Sequence, residues 1–89
     1  NGQLDFDLKQ NYPNPFNQST VIEFTIPTRQ NVLIGIYDIK GRLIQTLMNE
    51  TRQKGTYTMR FDRKGLSAGM YYLKMETFEY KAVRKFVIE

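Results

Sequence analysis

The amino-acid sequence predicts an all-β fold, a sandwich of about seven short antiparallel strands. Apolar residues recur at every second position, which is the period of a β-strand, in a series of short runs. Glycine, proline and aspartate separate these runs at regular intervals, as turns do in a sandwich. Residues 41–52 alone offer a helical alternative, with apolar side chains about 3.6 positions apart, and a strand is the preferred interpretation there as well.

The first strand is predicted over residues 4–8, where leucine and phenylalanine alternate with two aspartates. Residues 11–17 cannot continue this strand. Pro13 and Pro15 each fix φ and lack the N–H donor that a sheet needs. The residues that precede them are restricted to extended conformations as well. We therefore expect a rigid, non-repetitive connection between the first strand and the second.

Each of the remaining strands carries an alternating apolar face and ends at a turn signal. Pro27 ends the second strand, and Gly41 supplies the positive φ that a tight turn after Asp38 requires. Gly55 introduces the fifth strand. With the first strand, these elements predict an immunoglobulin-like sandwich. The strands are expected over residues 20–26, 32–36, 43–47, 57–61, 70–75 and 80–88.

The length of 89 residues suits one domain over residues 1–89 and is too short for two. Apolar residues make up 40% and aromatic residues 13% of the chain, which is enough for a core and excludes a disordered tail. The chain starts with neither an initiator methionine nor a charged and apolar leader. We therefore expect it to be a piece of a longer protein.

The sequence contains no cysteine and no histidine. Disulfide bonds are thereby excluded, as are thiolate and histidine metal sites. Nucleophilic catalysis by a Ser-His or Cys-His pair is excluded for the same reason. We expect no enzymatic activity, no catalytic or metal-binding residues and no cofactor.

The net charge is +4, and basic residues cluster at Arg52 with Lys54, within residues 60–64 and within residues 81–85. A solvated surface is the preferred interpretation of these clusters. A nucleic-acid partner is not expected, because the chain has neither a recognition helix nor an aromatic RNA-binding motif. A mild attraction to anionic polymers or lipid headgroups stays open.

Aspartates and exposed tyrosines are the remaining candidate groups. The aspartates of the first strand are expected on its solvent face, where a small sandwich has no cleft for an acid pair. Asp38 and Asp62 lie at strand ends, and we expect each to accept backbone N–H bonds within a turn. Tyr72 and Tyr80 are the candidates for stacking on sugars, although packing within the domain is the preferred interpretation for both.

Several segments then form an ordered pattern along the chain. They are NYPNPFN at 11–17, VLIGIYD at 32–38, GR at 41–42, FD at 61–62, LSAGMY at 66–71 and KFVI at 85–88. In this order they resemble the type A C-terminal sorting domain of the type IX (Por) secretion system, from about residue 6 to the end. The central stretch is also similar to immunoglobulin-like domains of the flagellar-hook-capping type. Glu89 departs from the basic residue that commonly ends the family's sequences.

The resemblance implies a non-catalytic secretion signal at the C-terminus of a passenger protein. Its implied partners are that passenger and the outer-membrane translocon and sortase of the type IX system. The sortase would join the passenger to anionic surface lipopolysaccharide. The implied route leads through the periplasm to the cell surface or the medium. The alternative is an accessory module of an extracellular enzyme, either a carbohydrate- or cell-wall-binding module or a structural immunoglobulin-like spacer.

The resemblance also places recognition in the turn before the sixth strand and in the last strand, and it leaves the proline stretch open as either signal or scaffold. We expect the last strand to be a sheet edge that binds the secretion machinery by strand addition. The expected recognition residues are Asn14, Pro15, Phe16, Asn17, Gly69, Tyr71, Lys81, Lys85, Phe86, Val87 and Ile88.

Overall fold

The computed structural model describes residues 5–89, which form seven β-strands and confirm the all-β fold class. None of the described residues belongs to a helix that could cross a membrane. The strands are β1 (Asp7–Leu8), β2 (Ser19–Ile26), β3 (Gln30–Tyr37), β4 (Leu43–Arg52), β5 (Gly55–Asp62), β6 (Gly69–Glu76) and β7 (Lys81–Ile88).

The strands form two antiparallel sheets that pack face to face. One sheet has the order β1-β2-β5, and the other has the order β4-β3-β6-β7. The chain crosses between the sheets after β2, β4 and β5, whereas β3 with β4 and β6 with β7 are hairpins. The Tyr71 hydroxyl donates a 2.7 Å hydrogen bond to the Ser67 carbonyl oxygen. Such a tyrosine corner at the start of a strand accompanies the immunoglobulin-like sandwich that the sequence predicted.

The core lies between the sheets and is built from every second residue of the long strands. This alternation fixes the strand register, because a shift by one residue would turn the whole apolar set to solvent. The apolar side chains that are at most 2% exposed are Leu8, Phe16, Ile22, Phe24, Ile26, Val32, Ile34, Ile36, Phe61, Leu73, Met75, Phe86 and Ile88.

β4 differs most from the prediction. It extends over Leu43–Arg52 where residues 43–47 were expected, and the helical alternative for residues 41–52 is wrong. Its ladder to β3 continues to the pair of Gln30 with Arg52, beyond the last buried apolar side chain. Backbone pairing with β3 extends β4 here. The alternation of apolar residues cannot predict this extension, because it reflects side-chain burial and not backbone pairing. β1 is shorter than predicted, and Leu4 of that predicted strand lies outside the described residues.

The turn between β3 and β4 is built as predicted. Gly41 has a φ of 85°, and the Asp38 Oδ1 atom accepts hydrogen bonds of 2.9 Å from the N–H groups of Lys40 and Arg42. The Arg42 Nε–H donates to Asp38 Oδ2 at 3.0 Å. The Arg42 N–H, followed by the Arg42 guanidinium and the Lys40 N–H, lowers the pKa of the Asp38 carboxyl below its ordinary value.

Asp62 and Asp7 pair with basic side chains. Among the described residues, Asp62 accepts a hydrogen bond of 2.9 Å from the Arg60 Nε–H and none from a backbone N–H, so the predicted turn cap is wrong at this position. The neighbouring arginine supplies a stronger, charged donor on the same side of the strand. Asp7 of β1 lies 3.6 Å from the Lys9 ammonium.

Candidate functional site

Residues 11–17 are called the proline segment, and its residues 14–17 lie along the outer edge of β7 at the C-terminal end of that strand. The Phe16 N–H donates to the Val87 carbonyl oxygen at 3.1 Å, and the Glu89 N–H donates to the Phe16 carbonyl oxygen at 2.8 Å. Phe16 and Ile88 thereby form a parallel bridge outside the regular sheets. The junction of residues 14–17 with residues 85–89 is called the clasp below.

Two amide side chains occupy the next backbone groups of β7. The Asn14 Oδ1 atom accepts a hydrogen bond of 3.0 Å from the Val87 N–H. The Lys85 carbonyl oxygen accepts a bond of 2.8 Å from the Gln10 side chain and a longer one of 3.5 Å from Asn14 Nδ2. Side chains of the proline segment and its neighbour therefore extend the pairing where proline itself cannot donate.

A buried polar cluster supports the proline segment from below. Asn11, which is 2% exposed, donates through Nδ2 to Thr20 Oγ1 at 3.0 Å and to the Pro13 carbonyl oxygen at 3.3 Å. The Thr20 hydroxyl donates to the same carbonyl oxygen at 2.8 Å. Tyr12 and Val21 exchange two backbone hydrogen bonds of 3.1 and 2.9 Å. These bonds fix the irregular segment against β2, because a buried polar group without a partner is costly.

Arg63, in the loop after β5, joins three segments at the end of the sandwich. Its guanidinium donates to the carbonyl oxygens of Asn17 at 3.1 Å and Glu89, the latter at 2.6 Å. It also donates twice to the Leu66 carbonyl oxygen, at 3.2 and 3.0 Å. The solvated-surface interpretation of residues 60–64 is therefore wrong for Arg63, which connects the proline segment, the β5–β6 loop and the last described residue.

An aromatic cluster lies directly beneath the clasp. The ring of Phe86 is 5.8 Å from that of Phe16, 6.2 Å from that of Phe61 and 5.7 Å from that of Tyr71, measured between centroids. Phe16 and Phe61 meet edge to face at 6.1 Å. Phe16, Tyr71 and Phe86 are thus core residues, and they hold the clasp in position instead of offering their side chains to a partner.

Gly69 begins β6 opposite the end of β7, where it pairs with Ile88. Its φ is 149°, in the region that favours glycine, and an added Cβ would meet no atom within 4 Å. Glycine is therefore favoured here by the backbone conformation and not by the close approach of another group.

The remaining predicted residues of the clasp end are solvent-accessible. Asn14, Pro15, Asn17 and Lys85 are exposed, and Val87 is half-buried. These side chains lie on one end of the sandwich, around the last residues of β7. Lys81 is the exception, since it lies at the opposite end of β7 and pairs with Glu76 at 3.7 Å.

A family model described as a secretion system C-terminal sorting domain matches residues 10–89, nearly the whole chain. The chain belongs to this family. Its members carry a C-terminal sorting signal for type IX secretion, which confirms the resemblance inferred from the motifs. Such a domain interacts with the type IX machinery and belongs to proteins exported to the cell surface or beyond. Comparison with curated proteins gives no match.

The sorting domain leaves only part of its β7 edge open. In an antiparallel edge strand, alternate residues point both backbone polar groups outward. Val87 and Lys85 do so toward the proline segment and Gln10, and the Val83 carbonyl oxygen accepts a hydrogen bond of 3.1 Å from the Arg84 guanidinium. No backbone group from the described part of the chain reaches the outward groups of residues 81–84. β7 is thus an edge strand of its sheet, as predicted, and the proline segment occupies this edge at residues 85–89.

The two tyrosines considered for sugar stacking have different surroundings. Tyr80 stacks on Phe6, with centroids 4.7 Å apart and planes 6° from parallel, so one of its faces is occupied. Tyr72 lines a groove on the outer face of the four-stranded sheet, together with Tyr37. Tyr37 was not among the candidates, because its place beside Tyr72 depends on which strands are neighbours.

Proposed function

We propose that the domain is a non-catalytic signal that the type IX machinery recognises in its folded form at the clasp. In this proposal residues 1–89 are the C-terminal module of a larger protein. The outer-membrane translocon binds the module after periplasmic folding and carries the passenger across the outer membrane. A sortase then attaches the passenger to surface lipopolysaccharide. The observation that supports the proposal is the clasp itself, which gathers nearly all the recognition residues expected from the sequence at one end of the molecule.

The proposal divides the clasp residues into a contacting set and a positioning set. Asn14, Pro15, Asn17 and Lys85 are exposed and available to a partner. The buried residues beneath them, Phe16, Phe86 and their aromatic neighbours, fix the geometry of that surface. A partner that binds this surface therefore distinguishes the folded domain from an unfolded chain of the same sequence.

The charges at the clasp also favour recognition of the surface of the folded domain. Arg63 is engaged by three carbonyl oxygens, so its charge is fixed beside the last residue. Lys85 projects nearby and forms no ion pair among the described residues. A complementary partner would present carboxylates to this end of the sandwich, because charge complementarity speeds encounter and suppresses wrong partners.

A transplant experiment tests the sorting role. Residues 1–89 are fused to the C-terminus of a fluorescent reporter with an N-terminal signal peptide, in a bacterium with a type IX system. We expect the reporter at the surface or in the medium when the translocon is intact, and in the periplasm when it is deleted. A folded fusion that stays in the periplasm of the intact strain would contradict the proposal. The reporter without residues 1–89 is the control.

A second candidate function, carbohydrate binding, is supported by one observation, the tyrosine groove on the outer face of the four-stranded sheet. This function could accompany sorting or replace it. A structural spacer, the third alternative, would show neither saccharide binding nor a transport phenotype.

A further inference from the structure

The outer face of the four-stranded sheet carries a groove of about 210 Å³ that is separate from the clasp residues described above. Tyr37 of β3 and Tyr72 of β6 are direct cross-strand partners, as are Lys74 of β6 and Val83 of β7. Opposed side chains on one face of a sheet lie about 5 Å apart at their Cβ atoms. The groove therefore has two aromatic rings along one side, with a lysine and a valine along the other.

The aromatic side of the groove is held in place by the sheet beneath it. A Cβ added to Gly35 would lie 3.3 Å from the Tyr37 ring and 3.1 Å from a methyl group of Leu43. The missing side chain thus lets both groups lie close to the strand. The Lys74 ammonium lies 4.6 Å from the centroid of the Tyr37 ring, a cation–π contact that also orients the lysine. The ligand-facing groups are consequently arranged before any ligand arrives.

The charges around the groove leave it positive. Glu76, which like Lys74 belongs to β6, forms an ion pair with Lys81 at 3.7 Å. Asp38, next to Tyr37 in the chain, forms an ion pair with Arg42 at 3.0 Å. Lys74 forms no ion pair with any carboxylate of the described residues. Its ammonium is therefore available to an anionic group, beside a surface that is otherwise aromatic and apolar.

We propose that this groove binds an acidic saccharide, a sugar unit that carries a carboxylate. The apolar C–H face of a pyranose ring would stack on Tyr72, and the carboxylate would accept a charge-assisted hydrogen bond from Lys74. A flat sugar ring matches the aromatic wall and a carboxylate matches the lysine, whereas an acidic peptide would use the lysine alone. The inference rests on the second candidate function, carbohydrate binding, for which it names the class of saccharide, and it does not depend on the sorting function, which uses the clasp.

The test is a calorimetric titration of the 89-residue domain with tetragalacturonate. We expect saturable binding that weakens when the NaCl concentration is raised from about 0.02 M to about 0.3 M, since salt screens surface charges. Tyr72→Ala should weaken the affinity about tenfold through the loss of stacking. Lys74→Glu should weaken it at least as much, and Lys54→Glu, at an exposed position after β4, should leave it unchanged. Circular dichroism confirms that each variant is folded.

Three outcomes would overturn the inference. The first is the absence of binding to tetragalacturonate by the native domain. The second is equal binding of polyglutamate, which would show that charge alone is recognised. The third is an equal effect of Lys74→Glu and Lys54→Glu, which would show attraction to the whole surface and no defined site. The sorting assay of Lys74→Glu separates the two functions, because this variant should deliver the reporter as the native domain does.

Discussion

The two halves of β7 share one strand, one partner strand and one exposed edge, yet they differ in what covers that edge. In residues 85–89, every outward carbonyl and N–H named above is bonded to the proline segment, to Gln10 or to Arg63. In residues 81–84, the Val83 carbonyl oxygen accepts a hydrogen bond from the Arg84 guanidinium, and no backbone group of the described residues bonds to the outward groups. Residues 85–89, the clasped half, contain the buried side chains of Phe86 and Ile88, whereas residues 81–84, the open half, begin with exposed Lys81.

The difference shows how a C-terminal strand can be ordered without being a docking edge. An unpaired edge is a template for strand addition and for aggregation, and proteins commonly cover it. The sorting domain covers the end of β7 with a proline-rich segment that cannot itself form a regular strand. The covered half then presents a fixed side-chain surface, and only the other half keeps the backbone groups that strand addition requires.

Removal of the aromatic support should have the largest effect on the clasped half. Phe86→Ala leaves a cavity beneath the clasp and should lower the free energy of unfolding by about 3–5 kcal/mol. Lys81→Ala, in the open half, should change it by no more than about 0.5 kcal/mol. Urea denaturation followed by circular dichroism measures both. Similar effects from the two variants would remove the distinction between the halves.

Arg63→Ala should have the next largest effect. It removes charged hydrogen bonds to three carbonyl oxygens and should destabilise the domain by about 1.5–3 kcal/mol. Arg60→Ala is the matched control, because within residues 5–89 this exposed arginine pairs only with Asp62, and its loss should cost at most about 1 kcal/mol. Amide hydrogen exchange should show faster exchange at Glu89 in the Arg63 variant alone. Equal effects of the two arginines would contradict the role assigned to Arg63.

A pair of proline substitutions compares the two halves at the backbone. Val87→Pro removes the N–H that Asn14 accepts and brings the proline ring against that side chain, so we expect a loss of about 1 kcal/mol or more. Val83→Pro changes a residue whose backbone also points outward but meets no backbone partner among the described residues. The edge strand should therefore tolerate Val83→Pro better than Val87→Pro. Thermal unfolding of both variants measures the difference. A larger loss from Val83→Pro would contradict the assignment of the open half.

The smallest effect is expected at the turn between β3 and β4, away from the clasp. The folded state lowers the pKa of Asp38, chiefly through the Arg42 N–H, so its carboxylate stabilises the fold above the unfolded pKa. That contribution is lost as the pH falls through the folded pKa. On acidification, the free energy of unfolding of the Asp38→Asn variant should therefore fall less than that of the native domain. Exchange at Val87 and Glu89 should stay unchanged, and faster exchange there would show that the turn and the clasp are coupled.

The sequence predicted the strands whose side chains alternate without interruption, such as β2 and β6, and the turn formed by Asp38 and Gly41. Those features depend on local period and local turn chemistry. The clasp depends on contacts between distant residues, since Asn14 and Val87 are 73 positions apart and Arg63 and Glu89 are 26 apart. No periodic pattern encodes such contacts.

The recognition segments could nevertheless be named from motifs, because the family pattern marks which segments matter without saying where they meet. Their common location emerged only from the sheet order. The tyrosine groove shows the same limit. Tyr72 was a candidate from its exposed position, whereas Tyr37 became its neighbour through the pairing of β3 with β6. The extension of β4 was likewise decided by its partner strand.

The most direct test of the central claim is the delivery of the fused reporter by variants of the two halves. The reporter carries the native domain, Val87→Pro, Asn14→Ala or Val83→Pro, and its surface fraction is measured while protease resistance confirms periplasmic folding. The account predicts that Val83→Pro is delivered as the native domain is, and that folded Val87→Pro and Asn14→Ala are retained. Delivery of both clasp variants together with retention of Val83→Pro would contradict it, because the machinery would then bind the open half by strand addition.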